Sequence, residues 1–371
     1  MERRYGAALW FVNPGLSFGV PPLVVVLALL LCAPAVVLAQ GLPAYRPINP
    51  VATSRSGLGF EPFRVPVPGR WQADVGMEYA STIEFNESSD VSYLLDSELF
   101  RTRAKVYHDL STRTFLLAEA ELLGAYSGVL DGFLEWYHGL LGIEIPERER
   151  RPRNHFLYAA DLAGESPVQR RAGDLFLGDL RLGAGFRLHP RLQTVFVLTL
   201  PTNTGPPGDG REVVSANLLH PLSLPLTSRL LLEAGLSGGY TPATGSLRAL
   251  QRELFASAST GLRWRFWGRQ SLFGNLFVHS PYYHDTGATA LDQRDLSLDF
   301  GWILAGEDGR ELRIGMTEDL EPKGPAVDLT FRIGTWFLRC NDQTPERVWK
   351  RNCSMFWSRN SLALESRRFN P

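Results

Sequence analysis

The sequence has few cysteines, almost no lysine and no excess of charge of either sign. Among its 371 residues there are 3 cysteines, and lysine occurs only at Lys105, Lys323 and Lys350. Arginine and lysine together number 38 against 39 acidic residues, which gives a formal net charge of −1. A balanced charge creates no long-range attraction for nucleic acid or for an anionic bilayer surface, so neither is expected as a partner.

The positions of the three cysteines are more informative than their number. Cys32 lies in an apolar N-terminal segment, whereas Cys340 and Cys353 lie close together near the C-terminus. In an oxidising compartment the latter two are a candidate disulfide. Free thiols are the alternative, because sequence spacing does not fix the Cα–Cα distance that a disulfide requires. A metal site is disfavoured, since no histidine lies near this pair.

Long apolar runs are confined to the start of the chain. Arg3 and Arg4 are followed by the apolar run Leu23–Leu31 and then by the small-residue stretch Val37–Ala39. This order is typical of a secretory signal peptide, which we predict over residues 1–39 with cleavage at its end. An uncleaved membrane anchor is the alternative, although a proline interrupts the segment and its apolar part is short for a bilayer span.

Polar and apolar residues alternate with a period of two through most of the remaining chain. In Trp71–Phe85 large apolar residues fall mainly on one face, and charged or small residues fall mainly on the other. This is the pattern of a strand with two different faces, because a helix would mix the two sets. The same alternation predicts strands in the segments 175–188, 230–240, 254–266, 295–302, 311–316 and 327–333. Less regular strands are predicted between them, in the segments 91–108, 114–123, 155–160, 192–200, 213–219 and 271–282. Bacterial barrels have an even number of strands, so we predict about 12 over residues 71–337.

Two folds accommodate such strands: a soluble sandwich with a solvated polar face, or a membrane barrel whose polar face lines a lumen. Aromatic residues near the strand ends, together with the export signal, favour the barrel. We therefore predict an all-β fold, a transmembrane antiparallel up-and-down β-barrel in the outer membrane with a short helical insertion. The charged residues of the polar face are the predicted lumen residues: Glu78, Glu98, Glu121, Asp179, Arg181, Glu233, Arg263, Arg265, Asp299, Arg313, Asp328 and Arg332.

Residues 126–145 depart from strand periodicity and predict a short amphipathic helix inserted between two strands. Asp131, Glu135 and His138 would share one face of this helix. The E-x-x-H spacing can bind a metal in helical bundles, but a single copy more simply indicates a hydrogen-bonded helix packed in the lumen or its mouth. Arg148 begins a basic run that would meet lipopolysaccharide phosphates or an anionic solute, or else form an ordinary solvated loop.

Two segments without periodicity flank the predicted barrel. Residues 40–70 are rich in proline and form either a periplasmic lead-in or a segment folded into the barrel mouth. Residues 338–371 follow the last predicted strand and contain the two cysteines of the candidate disulfide. Neither segment has a pattern that assigns it a role.

Several short motifs are distinctive as a set. They are Leu130–His138, with Arg148, Pro152 and Asn154 after it, Pro201–Thr202 at the close of a strand, Ser280–Tyr283, and Glu318–Asp319 ahead of Pro325 and Asp328. Over roughly residues 43–337 the chain thereby resembles a bacterial family, the domain-of-unknown-function 3187 family, whose members look like outer-membrane proteins. The resemblance implies a location and an architecture but no chemistry.

No catalytic constellation stands out in the sequence. Ser280 beside His279 is the nearest approach to a nucleophile and its base, but adjacent residues on a strand face opposite ways. We therefore expect no enzymatic activity and no cofactor or metal. The favoured hypothesis is a narrow channel or transporter for a small polar or anionic solute, set among outer-membrane lipids by the barrel-insertion machinery. The alternatives are a structural or partner-binding barrel and, less favoured, a lipid-modifying barrel enzyme.

Overall fold

The computed structural model describes most of the chain between residues 41 and 339. The described ranges are 41–49, 54–87, 91–142, 152–162, 168–169, 172–173, 175–205, 211–306, 310–321, 324–325 and 328–339. The predicted signal peptide, Arg148, Cys340 and Cys353 lie outside them.

Fifteen strands of one antiparallel sheet dominate the described residues. They are β1 (Trp71–Glu87), β2 (Val91–Asp109), β3 (Thr114–Tyr126), β4 (Leu157–Leu162), β5 (Val168–Gln169), β6 (Leu175–Leu177), β7 (Leu180–His189), β8 (Leu192–Leu200), β9 (Ser215–Pro225), β10 (Leu230–Tyr240), β11 (Leu254–Trp267), β12 (Gln270–His279), β13 (Asp295–Ala305), β14 (Glu311–Asp319) and β15 (Leu329–Arg339). Twelve of them, β1–β3 and β7–β15, pair in chain order, and β1 pairs with β15 to close the cylinder. The short strands β4, β5 and β6 extend the sheet beside β2 and β3. The predicted up-and-down barrel of 12 strands is confirmed.

The alternation of each strand separates a charged interior from an apolar exterior. In β2 the side chains of Arg101, Arg103 and Lys105 are buried inside the barrel, whereas Val106 points outward and is 40% exposed. Met77 of β1 and its partner Ile333 of β15 are likewise exposed on the outer wall. Buried charge inside and exposed aliphatic side chains outside invert the usual arrangement of a water-soluble domain, and they fit a surface that faces hydrocarbon.

The two ends of the barrel differ in the lengths of their connections. At one end, called the short-turn end, the strands are joined by residues 110–113, 190–191, 226–229, 268–269 and 306–310. At the opposite long-loop end the connections include residues 201–214, 241–253, 280–294 and 320–328, and the insertion between β3 and β7. β1 begins at the short-turn end, so the chain that precedes it enters the barrel wall there.

Helical structure among the described residues is short. It comprises α1 (Asp131–Leu141), a 3-10 turn (Ser246–Ala249) and α2 (Thr289–Asp292). α1 ends at Gly142, whose positive φ of 70° directs its backbone N–H back to the carbonyl oxygens of the last turn. In the part of the chain that the structure describes, no helix has both the length and the apolar character needed to cross a membrane.

Candidate functional site

The interior of the barrel is occupied by residues 41–49 and 54–70; residues 41–70 are here called the lumen segment. Residues 41–49, the ascending limb, run from the level of Glu233 near the short-turn end to Glu84 near the long-loop end. Residues 54–70, the descending limb, return to the short-turn end and continue into β1. The two limbs contact each other through a short antiparallel bridge between Tyr45 and Phe60, whose N–H and C=O groups bond reciprocally at 3.0 and 2.7 Å. The lumen is therefore filled by a folded-back part of the same chain.

The main chain of the ascending limb is held by charged side chains of the barrel wall. Leu42 donates its N–H to a carboxylate oxygen of Glu233 at 2.6 Å, and Arg263 donates to the carbonyl of Gly41 at 3.1 Å. Arg101 donates at 2.7 Å to each of two successive carbonyls, those of residues 46 and 47. Arg332 donates to the carbonyl of residue 44 at 2.6 Å. Backbone groups that would need a sheet ladder are thus satisfied by wall side chains.

Arg46 is the charged centre of the ascending limb. Its guanidinium is buried and pairs with Glu119 at 2.9 Å and with Glu121, both on β3. Glu119 also pairs with Lys105 at 2.7 Å, and Arg181 lies 3.1 Å from Glu121. Three cations therefore surround two carboxylates, and each buried charge has opposite charge beside it, as burial requires.

The descending limb is fixed at the short-turn end by Asp109. This carboxylate is fully buried and accepts from Arg64 at 3.1 Å, from Arg70 at 2.9 Å and from the N–H of Val67 at 2.9 Å. The guanidinium of Arg64 also lies over the ring of Tyr107, 3.7 Å from its centroid. The point where the limb passes into β1 is therefore held by a charge-assisted network.

Further ion pairs join wall strands directly to one another. Arg332 lies 2.6 Å from Asp299 and 3.3 Å from Glu78. Arg313 bridges Asp74, at 3.1 Å, and Glu311, at 2.9 Å. Glu311 also pairs with Arg263 at 2.9 Å. Because these pairs connect wall to wall, they do not depend on the lumen segment.

Loops cover the lumen at the long-loop end. Arg55 donates to the carbonyls of Thr241, Pro242 and Arg252. These hydrogen bonds connect the start of the descending limb to the β10–β11 loop. Arg211, which precedes β9, donates to the carbonyl of Ser54 at 3.0 Å. Burial lowers the pKa of Arg211 to about 9, and the nearby Arg181 adds to this, so the group remains charged at neutral pH.

Aromatic residues of the β12–β13 loop complete this cover. Tyr282 and Tyr283 are buried against Tyr93 and Leu95, which point inward from the end of β2. The ring of Tyr282 stacks on His279 with centroids 4.2 Å apart. Between the lumen segment and β13–β15 there is a cavity with room for about one water molecule. The lumen segment and this cover therefore obstruct the lumen in the part of the barrel that the structure describes.

The structure brings many of the sequence-predicted lumen residues together. The inward-facing charged groups among them are the buried Glu78, Glu121, Arg181, Glu233, Asp299 and Arg313 and the partly buried Arg263 and Arg332. Asp179 lies at the long-loop end, where its carboxylate accepts from the N–H groups of Asn203 and Arg211. Asp328 lies half-buried just before β15 at the same end.

One predicted lumen position is corrected by the structure. Glu98 lies opposite Ser81 of β1 in the ladder, and its side chain belongs to the set that points outward from β2. Its carboxylate accepts from the N–H groups of Val129 and Leu130 in the insertion. It therefore lies on the outer wall beneath the insertion. Arg265 lies on the same inward face of β11 as Arg263, opposite the buried Ser271, but near the short-turn end, where it donates to the carbonyl of Ser228 at 2.7 Å.

α1 lies outside the barrel, so the prediction that it packs in the lumen or mouth is also corrected. The ring of Phe133 contacts that of Phe331 on the outer wall, with centroids 5.6 Å apart. Val129, Trp136 and Leu140 are 76%, 62% and 70% exposed and continue the same stripe as Phe133. Leu134 on the opposite face is fully buried. The helix thus buries one face on the wall and presents an apolar stripe to its surroundings.

The three polar residues predicted on α1 serve its attachment. The carboxylate of Asp131 is buried and accepts from the N–H of Asn154 at 2.6 Å. Glu135 forms an exposed pair with Arg153, and His138 is buried. In the described part of the chain, no group of three or more histidine, cysteine or acidic residues is arranged to hold a metal ion.

Sequence reasoning missed several of the groups that matter most inside the lumen. They are Arg46, Glu61, Arg64, Asp74, Arg101, Arg103, Lys105, Asp109, Glu119 and Glu311. One available signal was the basic triplet at 101, 103 and 105, since a spacing of two places all three on one face of a strand. The arginines before residue 71 carried no such signal, because their segment has no periodicity.

A model of one protein family, described as a protein of unknown function (DUF3187), matches residues 57–337. None of the curated proteins matches the sequence.

Solved outer-membrane barrels show a distant likeness to the chain. A structure of an outer membrane channel from Pseudomonas putida F1 is 14% identical, covers 76% of this chain and 100% of its own, and has a TM-score of 0.47. The toluene transporter TodX of P. putida is 11% identical, covers 78% of this chain and 90% of its own, and has a TM-score of 0.37. A Pseudomonas aeruginosa FadL homologue is 8% identical, covers 81% and 98%, and has a TM-score of 0.36. Likenesses at this level carry no argument about a solute.

Proposed function

We propose that this chain, which belongs to the DUF3187 family of proteins of unknown function, is an outer-membrane channel for small polar solutes, closed in this conformation by its lumen segment. The observation that carries the proposal is a closed barrel with an apolar exterior and a charged interior that encloses chain not belonging to the wall. A barrel built only as a membrane scaffold could fill a narrow interior with side chains of its own strands. Here part of the interior is instead occupied by the separable limb 41–49.

The chemistry of the wall indicates the class of solute. Around the ascending limb the wall presents Arg101, Arg103 and Arg332 beside Glu78 and Asp299. Cations and carboxylates are therefore interleaved rather than segregated by sign. A lumen of this kind favours small polar solutes that offer both hydrogen-bond donors and acceptors, and it gives little advantage to an ion of a single sign.

Recordings in planar bilayers test the channel. We expect the full-length protein to conduct rarely, and Arg46→Glu to open the lumen, because a carboxylate between Glu119 and Glu121 expels the ascending limb. Arg153→Glu makes the same change of charge at a residue that is exposed outside the barrel, and it should behave as full-length. If R46E keeps the heat-modifiable mobility of a folded barrel and remains as silent as R153E, the channel proposal fails.

A structural or partner-binding barrel is the second candidate, and the filled lumen is the observation that favours it. It predicts no conductance from either variant, and recovery of a partner that depends on an exposed loop or on residues 338–371. Pull-down from solubilised membranes with and without those residues separates the two candidates, because a channel has no need of a tail-bound partner.

Location and processing form part of the same proposal. Short turns on the periplasmic side are usual in bacterial barrels, so the lumen segment would enter β1 from the periplasm. Outer-membrane recovery after fractionation, and a mature mass that begins at Gln40, would support export with cleavage after residue 39. Depletion of the barrel-insertion machinery should abolish that recovery. For Cys340 and Cys353, a mobility shift on reduction would support a disulfide, and two titratable thiols in the untreated protein would exclude it.

A further inference from the structure

The wall that holds residues 41–49 contacts mainly groups that every peptide has. Four carbonyl oxygens of the limb, at positions 41, 44, 46 and 47, accept from wall arginines, and the N–H of Leu42 donates to Glu233. These contacts require an extended main chain with its carbonyls at this spacing, whatever the side chains. The wall therefore has the chemistry of a site for an extended backbone.

Two side-chain positions add selectivity to this backbone site. Arg46 enters the acidic pocket of Glu119 and Glu121, which accommodates a basic residue. Leu42 enters an apolar pocket with Phe60 and Phe273. Gly261 lies beside this pocket, and a Cβ atom added to it would lie only 2.6 Å from the side chain of Leu42. Because Gly261 has no side chain, the pocket has room for an aliphatic residue. In the limb this aliphatic residue, Leu42, stands four positions before the basic residue, Arg46.

The site remains formed when the limb leaves, because its donors and acceptors have other partners in the wall. Arg101 donates to Glu78 at 2.6 Å, Arg263 pairs with Glu311, and Arg332 pairs with Asp299. The guanidinium groups are thereby held in place without the limb. A ligand that replaces it meets preorganised donors, which lowers the cost of binding.

We propose that the lumen carries a binding site for short extended peptides, with an aliphatic residue and a basic residue four positions apart, and that residues 41–49 occupy this site in the closed protein. The inference rests on the proposed function in one respect, since a solute that enters the channel must displace this limb. It names short peptides as the class of solute that the wall recognises. An attached limb competes at an effective concentration of about millimolar, so the intact protein should bind free peptide weakly.

The test is a binding measurement in detergent, which requires no conductance. A fluorescein-labelled synthetic peptide of residues 40–49 is titrated by fluorescence polarisation into full-length protein and into a variant that lacks residues 41–49, with folding verified by heat-modifiable mobility. We expect saturable binding to the deletion variant, at least tenfold weaker binding to the full-length protein, and at least tenfold weaker binding of a peptide with the R46E change.

Full-length R46E is the second arm, and it decides the question if the deletion variant does not fold. Its own limb is weakened, so the unmodified labelled peptide should bind it more tightly than it binds the R153E control. The proposal is overturned if the deletion variant or full-length R46E is folded but does not bind the peptide. It is also overturned if the peptide with the R46E change binds as tightly as the unmodified peptide. Binding without conductance in planar bilayers would preserve the peptide site and refute the channel.

Discussion

Asp109 is the residue at which the docking of the descending limb can be tested most directly. Asp109→Asn keeps the size of the side chain but removes the charge that pairs with the buried guanidinium of Arg64. One of its two acceptor oxygens, either Oδ1, which serves Arg64, or Oδ2, which serves Val67 and Arg70, is also replaced by a donor. Breaking a buried ion pair from one side costs about 3–5 kcal/mol. Because asparagine retains one acceptor we take the lower end, about 3 kcal/mol, which shifts the docking equilibrium about 100-fold.

Limited trypsin digestion of the folded protein measures this shift. We expect D109N to be cut after Arg64 much faster than the unmodified protein, while its barrel keeps heat-modifiable mobility, since Asp109 takes part in only the last step of the β2–β3 ladder. Asp285→Asn is the matched control, because that carboxylate is 91% exposed and pairs with a neighbouring histidine rather than with the lumen segment. Equal cutting of D109N and D285N would refute the reasoning that Asp109 holds the limb.

Three further predictions concern the insertion and its helix. A nitroxide attached at Leu140→Cys should collide more with oxygen than with a water-soluble nickel complex in reconstituted bilayers, and the reverse order would show that α1 is not in contact with lipid. Glu98→Gln should weaken the attachment of the insertion by about 1–3 kcal/mol, because two N–H groups lose a charged acceptor, and proteolysis within the insertion reads this out. Glu135→Gln should leave the thermal stability nearly unchanged, because its pair with Arg153 is exposed; a clear loss of stability would reveal a role for the E-x-x-H motif.

The barrel could be predicted from the sequence because its strands obey a local rule. Where one face meets the charged lumen and the other a hydrocarbon surface, as at Arg101, Arg103 and Lys105 of β2, alternation appears directly in the sequence. The rule loses force at the other end of the same strand. There Tyr93 and Leu95 point inward to an aromatic cover, while Asp96 and Glu98 point outward beneath the insertion. Polarity no longer reports the face, and this is why Glu98 was assigned to the lumen.

The lumen segment could not be predicted for a different reason. Its backbone groups bond to side chains such as Glu233, Gln193 and Arg101, which are distant in sequence, so no local period is imposed on residues 41–70. Proline is tolerated there for the same reason, since few positions need an N–H for a ladder. The position of α1 was missed because an amphipathic stripe does not reveal whether its apolar side faces protein or lipid.

The two limbs of the lumen segment are suited to different roles, and this bears on how the barrel would open. The descending limb continues into β1 and is tied by Asp109 at that junction, so its departure would strain the wall at Trp71. The ascending limb bonds to wall groups that keep their own partners, and it contacts the other limb at the Tyr45–Phe60 bridge and where Leu42 packs near Phe60. If residues 1–39 are removed, it also has a free end. We therefore expect opening to release residues 41–49 while residues 54–70 stay in place. The resulting pore would still contain the descending limb. Such a pore would admit a single extended chain or a small solute, but not a folded polypeptide.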